Sequence, residues 1–411
     1  MRIKKAKLEL IASNLLLIAI FLSNQFATIK FLLAAIPVII IELLRRYGLF
    51  DLLFFFLCAF VFAFLSGSLS NGYQLEWTEI SQCGVVLISY LVGKWAGMFA
   101  QSDEQLIKSY VGLGISLAIV VLISLLRTLY QSGFEGEGRS IEVFGANNIE
   151  YAATNLGGFL IMLTAYFGIA IYRLTERLTL VRIAMFAITL IAVMGSLRLG
   201  SRTQLFVAVL SLTISILILQ KRGLFLWLIV VSIVVFIGWY GYQEYIRGEG
   251  YWHYFSDRTS SRDVGISSLG GRVELWLDAL AMMPDNPFGW TGGRYAHNFW
   301  LDVMRRAGYP ALLLSILITF QCYWNFYRDY RESGRWGRAL VICAGGGFAI
   351  LFMIEPIMDG YYYPLAAFFA FSGLVAGRRN IRLLYGIKSK YELRGNKIRQ
   401  DLNSVQRIDS L

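Results

Sequence analysis

The chain has 411 residues, of which 57% are hydrophobic and only 16% are charged, so it lacks the polar residues that a soluble protein of this length needs to cover its surface. Its formal net charge is +11, but the basic residues cluster at the start, in short loops and after Gly377, which is a topology signal rather than a nucleic-acid patch. The composition predicts an all-α polytopic membrane protein that contacts lipids and binds no nucleic acid.

Twelve segments are apolar enough to be candidate membrane spans, since a crossing helix takes about 20 mostly apolar residues. In chain order they cover roughly Leu8–Asn24, Ile29–Leu44, Phe50–Ser66, Ser81–Ala100, Ser109–Leu129, Tyr151–Tyr172, Leu180–Leu197, Thr203–Leu219, Leu224–Tyr242, Ala307–Tyr327, Ala339–Met358 and Tyr361–Ala376. With a cytoplasmic N-terminus, an even number of spans returns the C-terminus to the cytoplasm, and most basic residues then lie on the cytoplasmic side.

This pattern divides the chain into four parts. They are a nine-span region over 1–243, a long external loop with short amphipathic helices over 244–306, three further spans over 307–377 and a basic cytoplasmic tail over 378–411. The loop contains both histidines, and its cations are all arginine. Because arginine stays ionised and offers a fork of donors that matches phosphate oxygens, the loop is predicted to bind an anion.

Some arginines lie on the external side, although basic residues of membrane proteins usually lie on the cytoplasmic side. Arg198 and Arg202 flank Ser201 at the mouth of two spans, and a cation at this depth needs an anionic partner, so we interpret them as part of a buried anion site. Arg305 and Arg306 are instead expected to sit at the lipid headgroups. Among charges within spans, Glu355 is expected to be structural.

Within the long loop, residues 272–283 have the pattern of an amphipathic helix that ends before Pro284. Arg272 and Trp276 are four residues apart and share a face of that helix. A glycine-rich segment then leads to Arg294 and His297.

His297 is followed by Asn298, a residue favoured as a helix N-cap. At a helix N-terminus the dipole disfavours the imidazolium, which helps to keep the ring neutral, as a general base requires. The alternative is that His297 lies at the membrane interface and only forms hydrogen bonds. The sequence supports these two interpretations about equally. His253 is interpreted as interfacial packing.

The order of these motifs resembles the O-antigen ligase and Wzy-type O-antigen polymerase superfamily. The similarity rests on Ser201-Arg202-Thr203, Gly271-Arg272 with Trp276, Asn286-Pro287-Phe288-Gly289, and His297-Asn298 with Leu301 and Gly308. It covers roughly residues 195–317, whereas the first half of the chain is similar only in being a run of spans. Arg294 is not expected throughout that family.

The resemblance implies a metal-independent, inverting membrane glycosyltransferase of the GT-C type in the bacterial inner membrane, with its active site on the periplasmic side and no cofactor. Its donor would be an undecaprenyl-diphosphate-linked glycan, and a chain-length regulator would be a candidate partner. In this chain His297 is the expected general base. The expected diphosphate ligands are Arg202, Arg272, Arg198 and Arg294, with Asn298, Trp276 and Ser201 in supporting roles.

Three functions follow from this interpretation. The first is a polymerase that transfers the glycan to the next lipid-linked repeat unit, and the second is a ligase that transfers it to lipid A-core. The loop has no lysine patch for a phosphorylated core, which favours the polymerase. The third is a flippase or transporter of a lipid-linked glycan, for which charges along a transmembrane path and inverted repeats would be expected.

Overall fold

The computed structural model describes residues 51–75, 77–132, 140–142, 150–176, 178–219, 272–292, 294–355, 357–358 and 362–383. The predicted spans Leu8–Asn24, Ile29–Leu44 and Leu224–Tyr242 lie outside these residues, as do loop residues 244–271 and His253.

The described residues form helices and one small β-hairpin. The helices are α1 (Leu52–Ser70), α2 (Trp77–Met98), α3 (Asp103–Ser132), α4 (Ala153–Glu176), α5 (Leu180–Arg198), α6 (Arg202–Leu219), α7 (Arg272–Met282), α8 (Phe299–Glu332), α9 (Arg335–Ile354) and α10 (residues 363–383). Strands β1 (Ser140–Glu142) and β2 (Glu150–Ala152) pair antiparallel between α3 and α4. The sequence pattern did not predict this hairpin.

Seven of the described helices are long and apolar enough to cross a bilayer: α1, α3, α4, α5, α6, α8 and α9. Each of the nine predicted spans within the described residues coincides with a helix, and α2 and α10 account for the other two. The chain is therefore a mostly helical, multi-pass membrane protein. The predicted total of twelve spans also depends on residues outside those described.

Small residues let the helices of this bundle approach closely, as is common where helices associate in lipid. Gly93 and Gly97 of α2 face α10, and a methyl group on either would meet the backbone carbonyl of Ala370 or Leu374. Gly373 and Gly377 of α10 face α2 in the same way. These two Gly-x-x-x-Gly pairs fix the packing of α2 against α10.

Helix α4 lies in the interior and is joined to α6 by hydrogen bonds between polar side chains and backbone. Thr164 donates to the Gln204 side-chain oxygen at 2.7 Å, and Gln204 donates to the carbonyl of Gly157 at 2.9 Å. Ser211 donates to the carbonyl of Ala165 at 2.6 Å. Because lipid offers no competing partners, such bonds hold the two helices in register.

Helix α8 is kinked at Gly308, which has φ 75° and is followed by Pro310. A side chain at Gly308 would also collide with the backbone of Phe288. The segment before α8 fits into this kink, since the Tyr309 amide donates to the Pro287 carbonyl at 2.9 Å. Gly308 thus serves both the turn of the helix and the close approach of the preceding loop.

The two ends of the bundle differ in chemistry. At one end, a buried network joins α3, α8 and α10: Arg378 contacts Asp103 at 2.6 Å and Asp329 at 3.1 Å. At the same end Lys94 pairs with Asp51 at 2.6 Å. Every charge in these pairs has an opposite charge beside it. We therefore interpret the ion pairs at this end as structural contacts that hold the helices together. The predicted site residues lie at the other end.

Candidate active site

Ends of five helices meet at the site end of the bundle. They are the C-terminus of α5, the N-terminus of α6, the start of α7, the N-terminus of α8 and the residue after α9. Contacts among Thr203, Arg272, Asn298, Met353 and Glu355 join four of these ends. Residues far apart in the sequence are thereby placed in one region.

Glu355 lies at the centre of these contacts. Its carboxylate is buried and accepts a hydrogen bond from the hydroxyl of Thr203 in α6. A guanidinium nitrogen of Arg272, at the first position of α7, lies 3.8 Å from the same carboxylate oxygen. This distance permits charge attraction but exceeds a hydrogen bond. Arg272 therefore lies near Glu355 and forms no hydrogen bond with another residue in the described part of the chain.

The Arg198–Arg202 segment forms the turn between α5 and α6. Gly200 has φ 62°, and the amides of Gly200 and Ser201 donate to the carbonyls of Leu197 and Ser196. This is the Schellman arrangement that ends a helix at glycine. Arg198 and Ser201 are buried, whereas Arg202 is exposed. The turn thus places Arg202 on the surface one residue from Thr203, the partner of Glu355.

His297 has the left-handed backbone conformation, with φ 53°, and is the only non-glycine residue with positive φ among those described. This conformation costs a non-glycine residue on the order of 1–2 kcal/mol, so the surrounding structure must enforce it. Its side chain is half-buried. Strained backbone of this kind is concentrated at functional sites.

The carboxylate of Asp302 holds the backbone around His297. The amide of Ala296 donates to one oxygen of Asp302 at 2.8 Å, and the amide of Asn298 donates to the other at 3.3 Å. Asp302 is fully buried in the first turns of α8, where the helix dipole stabilises a carboxylate. One acidic side chain therefore fixes both neighbours of His297.

Asn298 is the N-cap of α8, as its sequence position predicted. Its side-chain oxygen accepts hydrogen bonds from the amides of Trp300 and Leu301 at 3.1 and 3.2 Å. Its side-chain nitrogen donates to the carbonyl of Met353 in α9 at 3.4 Å. Asn298 thus links the His297 turn to the end of α9, two residues before Glu355.

The predicted amphipathic helix is present as α7, and Trp276 packs in a small apolar cluster with Ala279, Trp290 and Ala296. Arg294 is exposed and lines a cleft beside the C-terminal half of α7. No described contact joins it to Arg272. Arg294 is therefore associated with α7 and the His297 loop rather than with Glu355.

The expectation that Arg305 and Arg306 sit at lipid headgroups is wrong, because both side chains are buried. Arg306 donates to Glu79 at 2.8 Å and to the Met358 carbonyl at 3.2 Å. Both terminal nitrogens of its guanidinium therefore donate within the bundle, and Arg306 joins α8 to α2 and to the segment after α9.

Arg305 is less completely paired than Arg306. Its guanidinium lies 4.3 Å from the ring centre of Tyr295, and its Nε lies 4.0 Å from Asp302. Nε and one terminal nitrogen are buried and have no hydrogen-bond acceptor within the described part of the chain. A buried guanidinium in this state favours an additional anion.

The sequence pattern did not single out Glu355, Asp302 or Arg305 as site residues. The signal that Glu355 carried was a carboxylate inside an apolar segment, a position at which polar groups are usually functional. Asp302 lies four residues after a predicted N-cap, and its contact with the preceding loop depends on a backbone turn that the sequence does not specify. The burial of Arg305 follows from the kink at Gly308 and the loop that fits into it.

These residues could bind an anion and move a proton. Arg272, Arg305 and the exposed Arg202 supply positive charge from three separate elements, and His297 supplies a group that can accept a proton near neutral pH. Among the described residues, no three His, Cys, Asp or Glu side chains are grouped to hold a metal ion.

In comparisons with known proteins, no family model matches the chain, and no curated protein sequence matches it. The class that fold and composition define is a multi-pass membrane protein with a polar site at one end of its helical bundle.

Proposed function

We propose that this protein is a membrane glycosyltransferase that moves a glycan from undecaprenyl diphosphate to the next lipid-linked repeat unit. In this proposal the site end of the bundle faces the periplasm. His297 acts as the general base, and arginines bind the diphosphate leaving group.

The conformation of His297 is the observation that carries the proposal. A half-buried histidine is held in a strained backbone conformation by a buried carboxylate, at the N-terminus of a long helix. A strained backbone conformation that neighbouring contacts enforce is typical of a functional position. A general base must be fixed within hydrogen-bond reach of the acceptor hydroxyl, and fixation of this kind supplies the required positioning.

The arginines support the second part of the proposal. When the glycosidic bond breaks, negative charge develops on the departing diphosphate. Arginines that are already fixed in place stabilise this charge without any rearrangement of the site. Arg272 lies beside Glu355 and forms no hydrogen bond with another described residue, and two buried nitrogens of Arg305 have no acceptor among the described residues. Arg202 is exposed at the head of α6, and Arg198 adds charge in the same turn. The prediction that Arg294 also binds the diphosphate is not part of this proposal, because Arg294 lines the cleft beside α7 and no described contact joins it to Arg272.

Reconstitution tests the chemistry. Purified protein in lipid vesicles is incubated with lipid-linked oligosaccharide, and the products are separated by size. New glycosidic bonds that require His297 support the proposal. Movement of the oligosaccharide across the bilayer without any new bond would instead favour the transporter interpretation.

The acceptor is tested in the cell. In a strain that lacks a polymerase, single repeat units are expected on the lipid A-core. In a strain that lacks a ligase, uncapped core is expected while lipid-linked polymer accumulates. We expect the first profile.

A further inference from the structure

We infer that the cleft that α7 forms with Trp290, Thr291, Gly292 and Arg294 is the binding site for the acceptor saccharide. This inference rests on the proposed function and assigns a second substrate to the same end of the molecule. The cleft has a volume of about 370 Å³, within the roughly 300–1,000 Å³ range typical of small-molecule sites.

The chemistry of the walls favours a neutral, hydroxyl-rich ligand. Apolar surface comes from Leu275, Met282 and Trp290, and polar groups come from Asp278, Thr291 and Arg294. A purely anionic ligand would meet the Asp278 carboxylate, and an acyl chain would leave both charges without hydrogen-bond partners. Sugar hydroxyls donate to a carboxylate and accept from a guanidinium, while the apolar face of a sugar ring packs on apolar side chains.

Asp278 and Arg294 are both available for such contacts. They line the same cleft, yet they form no ion pair with each other or with any other described residue. Both are exposed, so the cleft can be reached from outside the bundle.

The cleft is adjacent to the proposed base. Its wall residues Ala279 and Trp290 pack against buried Ala296, whose neighbour along the chain is His297. Arg272 lies at the opposite end of α7 from Met282, about 15 Å away along the helix. An acceptor in the cleft and a diphosphate near Arg272 and Glu355 would therefore occupy different places. His297 directly follows Ala296, which packs on the wall of the cleft.

Binding in the absence of the donor tests the inference. The probe is the organism's own repeat-unit oligosaccharide, freed of lipid and phosphate, and it is titrated into the full-length protein in lipid nanodiscs. Asp278→Asn and Arg294→Gln are each expected to weaken binding about tenfold or more, because each removes a charge-assisted hydrogen bond. Asp285→Asn is the matched control, since Asp285 is exposed but does not line the cleft. It should bind as the unmodified protein does.

A competition arm separates the acceptor from the diphosphate. Inorganic pyrophosphate should not displace the oligosaccharide. The inference is overturned if the unmodified protein does not bind the oligosaccharide at millimolar concentration, if Asp278→Asn binds normally, or if pyrophosphate competes through Arg294. Transfer activity that requires His297 alongside any of these results would leave the proposed function standing. Binding that requires Asp278 without any transfer would instead remove the proposed function and leave the saccharide site.

Discussion

The guanidinium of Arg272 lies 3.8 Å from the buried carboxylate of Glu355, although the two residues are separated by the loop that carries His297 and by two long helices. The contact holds an arginine close to an anion without a direct hydrogen bond. Thr203 donates to the same carboxylate, so α6, α7 and the end of α9 share one charged group.

Loss of the Thr203 hydroxyl should loosen this junction. Thr203→Val keeps the shape of the side chain but leaves the Glu355 carboxylate without that donor. Removing a hydrogen bond to a buried charged group costs about 1–3 kcal/mol, so we expect a lower Tm in detergent and reduced transfer activity. Thr203→Ser should restore both. Thr213→Val on the same helix is the control, because the Thr213 hydroxyl donates only to its own helix at the Val209 carbonyl. An unchanged Tm for Thr203→Val would show that the contact contributes nothing to the junction.

Replacement of the exposed or half-buried arginines should affect the donor. Arg202→Ala and Arg272→Ala are each expected to raise KM for the lipid-linked donor and to lower the rate, because each removes a charge-assisted contact to the diphosphate. Lysine should rescue poorly, since it cannot form the bidentate contact. Steady-state kinetics over a range of donor concentrations measure both effects. Full activity with lysine at both positions would contradict the bidentate role.

Asp302 should act through the backbone on either side of His297. Asp302→Asn replaces one acceptor oxygen with a donor nitrogen, so the amides of Ala296 and Asn298 can no longer both be satisfied. We expect folded, membrane-inserted protein with a large loss of kcat and a destabilisation of about 1–3 kcal/mol. Thermal unfolding and turnover are measured on the same sample, with Asp285→Asn as the exposed control. Wild-type kcat with a reduced Tm would limit Asp302 to a structural role.

A substitution at Arg305 should affect donor binding without lowering the thermal stability of the protein. Arg305→Met removes a buried charge whose nearest carboxylate is 4.0 Å away, and replacing an incompletely paired buried charge with an apolar side chain is often neutral or stabilising. We expect Tm to be unchanged or raised while KM for the donor increases. Arg306→Met provides the contrast, because Arg306 is paired with Glu79 and its loss should lower Tm. A lower Tm for Arg305→Met with unchanged donor KM would assign Arg305 to structure.

The lengths of the apolar segments were enough to predict most of the helices. Nine predicted spans coincide with helices, the amphipathic helix begins at Arg272, and Asn298 caps α8 as its side chain predicts. Helix formation and capping are local, so a single sequence reveals them. The predicted ends differ from the observed ones by five residues or fewer, except by six at the start of α3, seven at the end of α10 and eight at the start of α8. At these three ends the helix extends beyond its apolar portion.

The site follows from the sequence less completely. The sequence singled out Arg272, His297 and Asn298 as candidates, but the partners of Arg272 and the burial of Arg305 depend on which helices are neighbours. Neither is encoded in local spacing. The kink at Gly308 and the left-handed turn at His297 likewise arise from contacts between segments. For this reason Arg305 was predicted to lie at the lipid headgroups, whereas its side chain is buried within the helical bundle.

The most direct test of the account is the turnover of purified His297→Ala in lipid vesicles at saturating lipid-linked substrate. A general base contributes roughly a hundredfold to ten-thousandfold to the rate, so the variant should fold, insert and bind substrate while forming new glycosidic bonds at that much lower rate. The unmodified protein should lose activity as the pH falls and the imidazole becomes protonated, and His253→Ala should cost much less. Near wild-type turnover by His297→Ala without added base would contradict the central claim.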